Sequence, residues 1–79
     1  ILDENEYKKE LEKKLYEEYI EVISAKGEEK LEELADMLEV ISALANSENK
    51  TLDDIINIAN NKKNKRGAFN DKIFLEGIK

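Results

Sequence analysis

Residues 17–36, EEYIEVISAKGEEKLEELAD, carry two pairs of carboxylates on either side of a short break in the helical pattern. Glu18 and Glu21 form the first pair. Glu33 and Asp36 form the second pair. Each pair has the i, i+3 spacing that places two side chains on one helix face, about one turn apart. The stretch therefore predicts two helices whose four carboxylates meet at one divalent-metal site.

Caps and apolar spacing extend this prediction to an antiparallel helical hairpin. Asp3 and Glu6 can form a capping box at the start of a first helix, which we expect to span residues 4–25. Gly27 suits the left-handed position that follows a helix end. Because the break is so short, the second helix, residues 28–47, should turn back along the first.

A third helix and a docked arm complete the predicted all-α fold. Thr51 and Asp54 can form a second capping box, which predicts a helix over residues 52–63. Residues 68–79 contain several large apolar side chains without a clear period, and such groups avoid water. We expect this arm to dock on the hairpin or on a second subunit.

A helical wheel places Glu18 inside the apolar arc of the first helix. A lone buried carboxylate costs several kcal/mol, so Glu18 needs a partner, a metal or a wet interface. The second helix is apolar around more than half of its circumference and should be the most buried element. Its flank carries Glu33 beside Met37, Val40 and Leu44. Its main face is formed by Leu31, Leu34, Ala35, Leu38, Ile41, Ser42 and Ala45.

The composition narrows the functional classes. A chain of 79 residues forms one domain and buries only roughly 60% of its unfolded surface, so oligomerisation or a bound metal should add stability. The absence of histidine excludes Ser-His-Asp and Cys-His mechanisms, and the absence of cysteine excludes thiolate sites and fits the cytoplasm. Oxygen ligands suit Mg²⁺ or Mn²⁺. The net charge of −6 disfavours nucleic acid, and no apolar run is long enough for a membrane span.

A basic stretch near the end of the third helix supplies candidates for phosphate binding. Lys62, Lys65 and Arg66 lie there, and Arg66 suits bidentate contact with a phosphate. A simpler interpretation stays open for both charge patterns. In a chain with 19 acidic residues, paired carboxylates arise easily and face water, and lysines at a helix end often only favour the helix dipole.

The order of these motifs resembles a known family. Residues 17–21 and 33–36, followed by the apolar run 37–44, are similar to the EExxE…ExxD signature of the all-α nucleotide pyrophosphohydrolases, the MazG-like and phosphoribosyl-ATP pyrophosphohydrolase-like group. Residues 65–75, KRGAFNDKIFL, resemble the RGGF…IFLE ending of its small members. With the opening residues 2–11, the resemblance covers nearly the whole chain.

The resemblance implies a house-cleaning enzyme that uses Mg²⁺, or alternatively Mn²⁺, to hydrolyse nucleoside triphosphates to the monophosphate and pyrophosphate. Glu17 and Glu18 would be the catalytic acids, with Glu17 helping to position water or a second metal. Family members are usually dimers or higher oligomers whose bundle is completed between subunits. By motif position, the metal ligands would be Glu18, Glu21, Glu33 and Asp36.

Two features depart from the family pattern. Only 11 residues separate Glu21 from Glu33, at the short end of the usual gap. Small members commonly carry a basic segment before the first helix, so we expect the domain of residues 1–79 to lack an N-terminal part. Two other functional classes remain open: a non-catalytic helical module for dimerisation or interaction, and a nucleotide binder without turnover.

Overall fold

The computed structural model describes residues 3–66 of the chain, and these form three helices. Helix α1 spans Glu4–Ser24, α2 spans Glu28–Ser47 and α3 spans Leu52–Arg66. The predicted all-α class is confirmed for this part of the chain, which contains no strand. In the same part, no helix is long and apolar enough to cross a membrane. The predicted C-terminal arm, residues 68–79, lies outside the described residues.

The start of α1 has the capping box that the sequence predicts. The backbone N–H of Glu6 donates to the Asp3 carboxylate over 2.8 Å, and the backbone N–H of Asp3 donates to the Glu6 carboxylate over 3.3 Å. Each bond satisfies a backbone group that the helix itself leaves without a partner. Both hydrogen bonds join residues that are three positions apart, so the local sequence suffices to determine where this helix begins.

The connection between α1 and α2 differs in detail from the prediction. The chain leaves α1 at Ala25 in an extended conformation, so Gly27 is not the residue directly after the α1 cap. Gly27 instead precedes α2 as its N-cap, with φ 62° and ψ −134°. Glycine fits there because residues with a Cβ rarely adopt this backbone conformation.

The connection between α2 and α3 uses two local devices. Asn49 adopts a positive φ of 63°, and asparagine tolerates this conformation just after a helix. The backbone N–H of Thr51 donates to Asp54 over 2.8 Å, and that of Asp54 donates to the Thr51 hydroxyl over 3.2 Å, as predicted. Helix α3 continues to Arg66, beyond the predicted end, because no glycine or proline interrupts it before Gly67.

Helices α1 and α2 pack side by side and α3 packs on α2, whereas within residues 3–66 the backbones of α1 and α3 do not come close to each other. Near the connection, a Glu21 carboxylate oxygen lies within 4.8 Å of one from Glu33. At the other end of the pair, Lys8 Nζ lies 3.1 Å from Glu48 Oε2. These contacts place the end of α1 beside the start of α2, and the start of α1 beside the end of α2.

Both predicted apolar regions of α2 contribute buried residues, the flank through Val40 and the main face through Ala45. Met37 and Leu44 are half-buried and Val40 is buried, in the same stripe as Glu33, which meets α1. Within residues 3–66 the buried apolar residues are Val40 and Ala45, both on α2. The larger side chains of the predicted main face stay exposed near the connection: Leu31, Leu34 and Leu38.

Candidate metal centre

Glu18 occupies the most buried position of α1. It lies in the stripe of Leu11, Leu15 and Val22, all of which are partly buried, and only 7% of Glu18 is exposed. The i−7, i−3 and i+4 spacings place these residues on one helix face. The prediction that Glu18 points into the apolar arc is therefore confirmed, and its carboxylate is held away from bulk water at the α1–α2 interface.

Three of the four predicted ligands come together. Glu18, Glu21 and Glu33 each offer one carboxylate oxygen, and these oxygens all lie within 4.8 Å of one another. Glu18 is buried, Glu33 is half-buried and Glu21 is exposed. The cluster therefore lies at the rim of the α1–α2 interface, closed on the Glu18 side and open to solvent on the Glu21 side. We call these three residues the acidic cluster.

Two predicted site residues lie beside the acidic cluster rather than in it. Asp36 is exposed, and its negative charge contributes to the raised pKa of Glu33. Glu17 is also exposed, and its carboxylate lies 3.9 Å from Lys14 Nζ. The i, i+3 spacing puts Asp36 about one turn beyond Glu33 on the same face of α2, where it is exposed.

The carboxylates of the acidic cluster repel one another because they carry like charge. The pKa of Glu33 is raised above its ordinary value, first because its carboxyl is partly withdrawn from water. The negative charges of Glu21, Asp36 and Glu18 raise this pKa further. A proton or a cation relieves this repulsion, so protons and metal ions compete for the same carboxylate.

The cluster already has one counter-ion, which the sequence reasoning missed. Lys14 Nζ lies 3.6 Å from Glu18 Oε2, and more than half of the lysine side chain is exposed. Within residues 3–66, Lys14 is the only lysine paired with a residue of the acidic cluster. Its i, i+4 spacing from Glu18 was a readable signal in the sequence, since such pairs face each other on a helix.

Two of the predicted phosphate-binding residues, Lys62 and Lys65, are exposed on α3. This helix packs on α2, and within residues 3–66 its backbone does not come close to that of α1, which carries Glu18 and Glu21. Arg66 ends α3, and its side chain lies outside the description. These three residues remain predictions from the sequence.

The donor set suits a hard divalent cation. Carboxylate oxygens are the preferred ligands of Mg²⁺, and two oxygens sharing one Mg²⁺ lie roughly 3 to 4 Å apart, given metal–oxygen distances of about 2.1 Å. The 4.8 Å span of the acidic cluster needs only a small side-chain adjustment to reach that spacing. The buried Glu18 beside a half-buried Glu33 also gives the cluster a charge that a cation would offset.

Comparisons with protein-family models, curated proteins and solved structures give no match to this chain. The family assignment therefore rests on the residues quoted above and stays a resemblance.

Proposed function

We propose that this chain is a Mg²⁺-dependent nucleotide pyrophosphohydrolase, which converts a nucleoside triphosphate, including non-canonical ones, to the monophosphate and pyrophosphate. One observation carries the proposal: carboxylates from two different helices, Glu18 and Glu21 on α1 and Glu33 on α2, converge within 4.8 Å. The resemblance of residues 17–36 to the EExxE…ExxD signature supports the same reaction.

The three residues of the acidic cluster would hold the ion, with Mn²⁺ as an alternative, and Asp36 is proposed as a fourth ligand from its motif position. A bound Mg²⁺ supplies charge neutralisation for polyphosphate oxygens and lowers the pKa of water. Glu18 fixes the buried end of the site, because its helix face packs on α2 and leaves its carboxylate little freedom. Glu21 and Asp36 lie at the exposed end, where a nucleotide can approach.

The neighbouring side chains have complementary roles in the proposed reaction. Water attacks the α-phosphorus, the bond from that phosphorus to the α,β-bridging oxygen breaks, and pyrophosphate leaves. Glu17, exposed beside the cluster, is proposed to orient the water and to accept its proton. Lys14 lies at the same place and can turn its ammonium from Glu18 to a phosphate oxygen. Lys62, Lys65 and Arg66 keep their predicted role in contacting the polyphosphate.

The architecture that we propose is the helical hairpin predicted from the sequence, with its bundle completed by a second subunit. Helices α1 and α2 form an antiparallel hairpin, and a second copy of the chain completes the bundle. A 79-residue chain gains from such completion because a single small core is marginal.

Pyrophosphate release tests the proposed reaction. Canonical and modified nucleoside triphosphates are supplied with Mg²⁺ or Mn²⁺ to the wild type and to Glu21→Gln, and metal binding is measured by calorimetry. Removing an exposed ligand should lower kcat/KM by roughly 100-fold without unfolding the chain. Glu32→Gln is the matched control, since Glu32 is exposed on α2 and is not part of the acidic cluster.

The same measurements separate the alternatives. If the chain binds metal and nucleotide without turnover, it is a nucleotide binder and not an enzyme. Absence of metal binding in the wild type would leave a helical interaction module.

A further inference from the structure

Lys14 on α1 contacts two carboxylates that have different parts in the proposed site. Its Nζ lies 3.6 Å from Glu18 Oε2 and 3.9 Å from Glu17 Oε1. The i, i+4 and i, i+3 spacings make these side chains neighbours on the surface of one helix. One ammonium therefore offsets part of the charge of a proposed metal ligand, Glu18, and of the proposed base, Glu17.

The members of these ion pairs differ in their freedom to move. Only 10% of the Glu18 side chain is exposed, whereas 53% of Glu17 and 56% of Lys14 are exposed. Glu18 is buried where α1 packs on α2, and lysine carries its charge on a flexible four-carbon stem. If the pair of Lys14 with Glu18 is broken, Lys14 is therefore the member that moves.

The Lys14 ammonium lies where a divalent cation at the acidic cluster would repel it. It is 3.6 Å from Oε2 of Glu18, and Glu18 offers a carboxylate oxygen to the cluster. Positive charges so close in a partly buried site repel each other, because little water screens them. Lys14 has to give up its ion pair when Glu18 becomes a ligand, and this loss weakens the binding of a cation that arrives alone.

A phosphate group offers the displaced ammonium a new partner. Phosphate oxygens accept charge-assisted hydrogen bonds from lysine, and a polyphosphate carries more negative charge than the carboxylate that Lys14 leaves. Because Lys14 and Glu17 are both exposed beside the cluster, a phosphate can reach Lys14 from solvent. A cation that arrives together with a polyphosphate therefore replaces the ion pair that it breaks.

We propose that Lys14 is an exchangeable counter-ion, through which the acidic cluster selects the complex of Mg²⁺ with a polyphosphate over Mg²⁺ alone. The inference rests on the proposed function and adds a coupling between the binding of metal and of phosphate. Such a coupling is reciprocal, so each ligand strengthens the binding of the other by the same factor. Transfer of the ammonium to a phosphate also leaves Glu17 without its lysine, which frees the proposed base only when a polyphosphate is bound.

Two dissociation constants, measured by calorimetry on the full chain, test the proposal. One is for Mg²⁺ alone, and the other is for the preformed complex of Mg²⁺ with inorganic tripolyphosphate. In Lys14→Met, the constant for Mg²⁺ alone should fall by roughly five-fold, because no ion pair has to be broken. The constant for the complex should rise by roughly three-fold, because the lost phosphate contact outweighs the ion pair that is no longer broken.

Two further variants separate the charge of Lys14 from a structural role. Lys13→Met is the matched control, because Lys13 is exposed and, within residues 3–66, has no carboxylate within 4.0 Å. Both constants should then equal those of the wild type. Lys14→Arg keeps the positive charge and should keep both constants close to those of the wild type, with unchanged helical circular dichroism in every variant.

The proposal is overturned if the wild type binds both probes and Lys14→Met changes neither constant or shifts both in the same direction. Lys14 would then only form surface ion pairs within α1. Turnover of nucleoside triphosphates by that same wild type would leave the proposed function intact and remove the inference alone. If the wild type binds neither probe, the proposed metal site fails and the inference fails with it.

Discussion

Removing the Lys14 ammonium should reveal how the acidic cluster is stabilised without metal. Two opposite charges about 4 Å apart attract by about 4 kcal/mol at the effective dielectric constant of a protein surface. The Lys14–Glu18 pair has this separation, at 3.6 Å, but the lysine side chain is 56% exposed and water screens it. We therefore expect Lys14→Met to lower the free energy of unfolding by about 1 kcal/mol in the absence of divalent metal. Urea unfolding followed by circular dichroism, at one fixed protein concentration, measures the change.

Adding Mg²⁺ should reduce the difference in free energy of unfolding between the wild type and Lys14→Met. A ligand at 100 times its dissociation constant stabilises the folded state by about 2.7 kcal/mol. In Lys14→Met the ammonium no longer competes for Glu18, so Mg²⁺ should bind more tightly and stabilise this variant more than the wild type. The loss of about 1 kcal/mol should therefore shrink at intermediate Mg²⁺ concentrations.

Lys13→Met is the matched control for Lys14→Met. Lys13 is exposed and, within residues 3–66, has no carboxylate within 4.0 Å. This variant should match the wild type with and without Mg²⁺. The reasoning is refuted if Lys14→Met stays destabilised by the same amount at every Mg²⁺ concentration that stabilises the wild type. It is also refuted if Lys13→Met behaves like Lys14→Met.

Two further predictions concern stability. The raised pKa of Glu33 means that its carboxyl binds a proton more tightly in the folded chain than in the unfolded chain. The negative charge of Glu33 therefore lowers the free energy of unfolding at pH values above that pKa. Glu33→Gln should therefore stabilise the metal-free protein at neutral pH, with a gain that fades as pH falls through the pKa of Glu33; a gain that grows towards low pH would contradict this. Thr51→Ala removes the hydroxyl acceptor of the α3 capping box and should cost about 1 kcal/mol in urea unfolding; an unchanged midpoint would show that α3 adds little stability.

Local features were the most predictable part of the fold. The capping boxes of Asp3 with Glu6 and of Thr51 with Asp54 depend on bonds that span three residues, and both are present. The burial of Glu18 followed from its wheel position. Gly27 was harder to place, since its role depends on whether α1 ends at Ser24 or one residue later.

The rotation of α2 about its own axis was not predictable from its sequence. The apolar surface of α2 covers more than half of its circumference, so both the stripe of Val40 and the stripe of Leu34 qualified as the side that meets α1. Only tertiary packing decides between them: it leaves Leu34 and Leu38 exposed near the connection, whereas it buries Val40 and, farther along the helix, Ala45 of the Leu34 stripe. This rotation also decides the candidate site. It carries Glu33 to Glu18 and leaves Asp36, about one turn along the helix, exposed.

The same rotation decides the chemistry of the helix pair near the connection. It turns Glu33 towards Glu18 and Glu21, so three carboxylates converge, with Lys14 as the counter-ion found within residues 3–66. Like charges at this spacing repel one another, and a proton or a cation relieves the repulsion. Because Glu21 at the outer edge of the acidic cluster is exposed, the cluster is open to a cation from solvent.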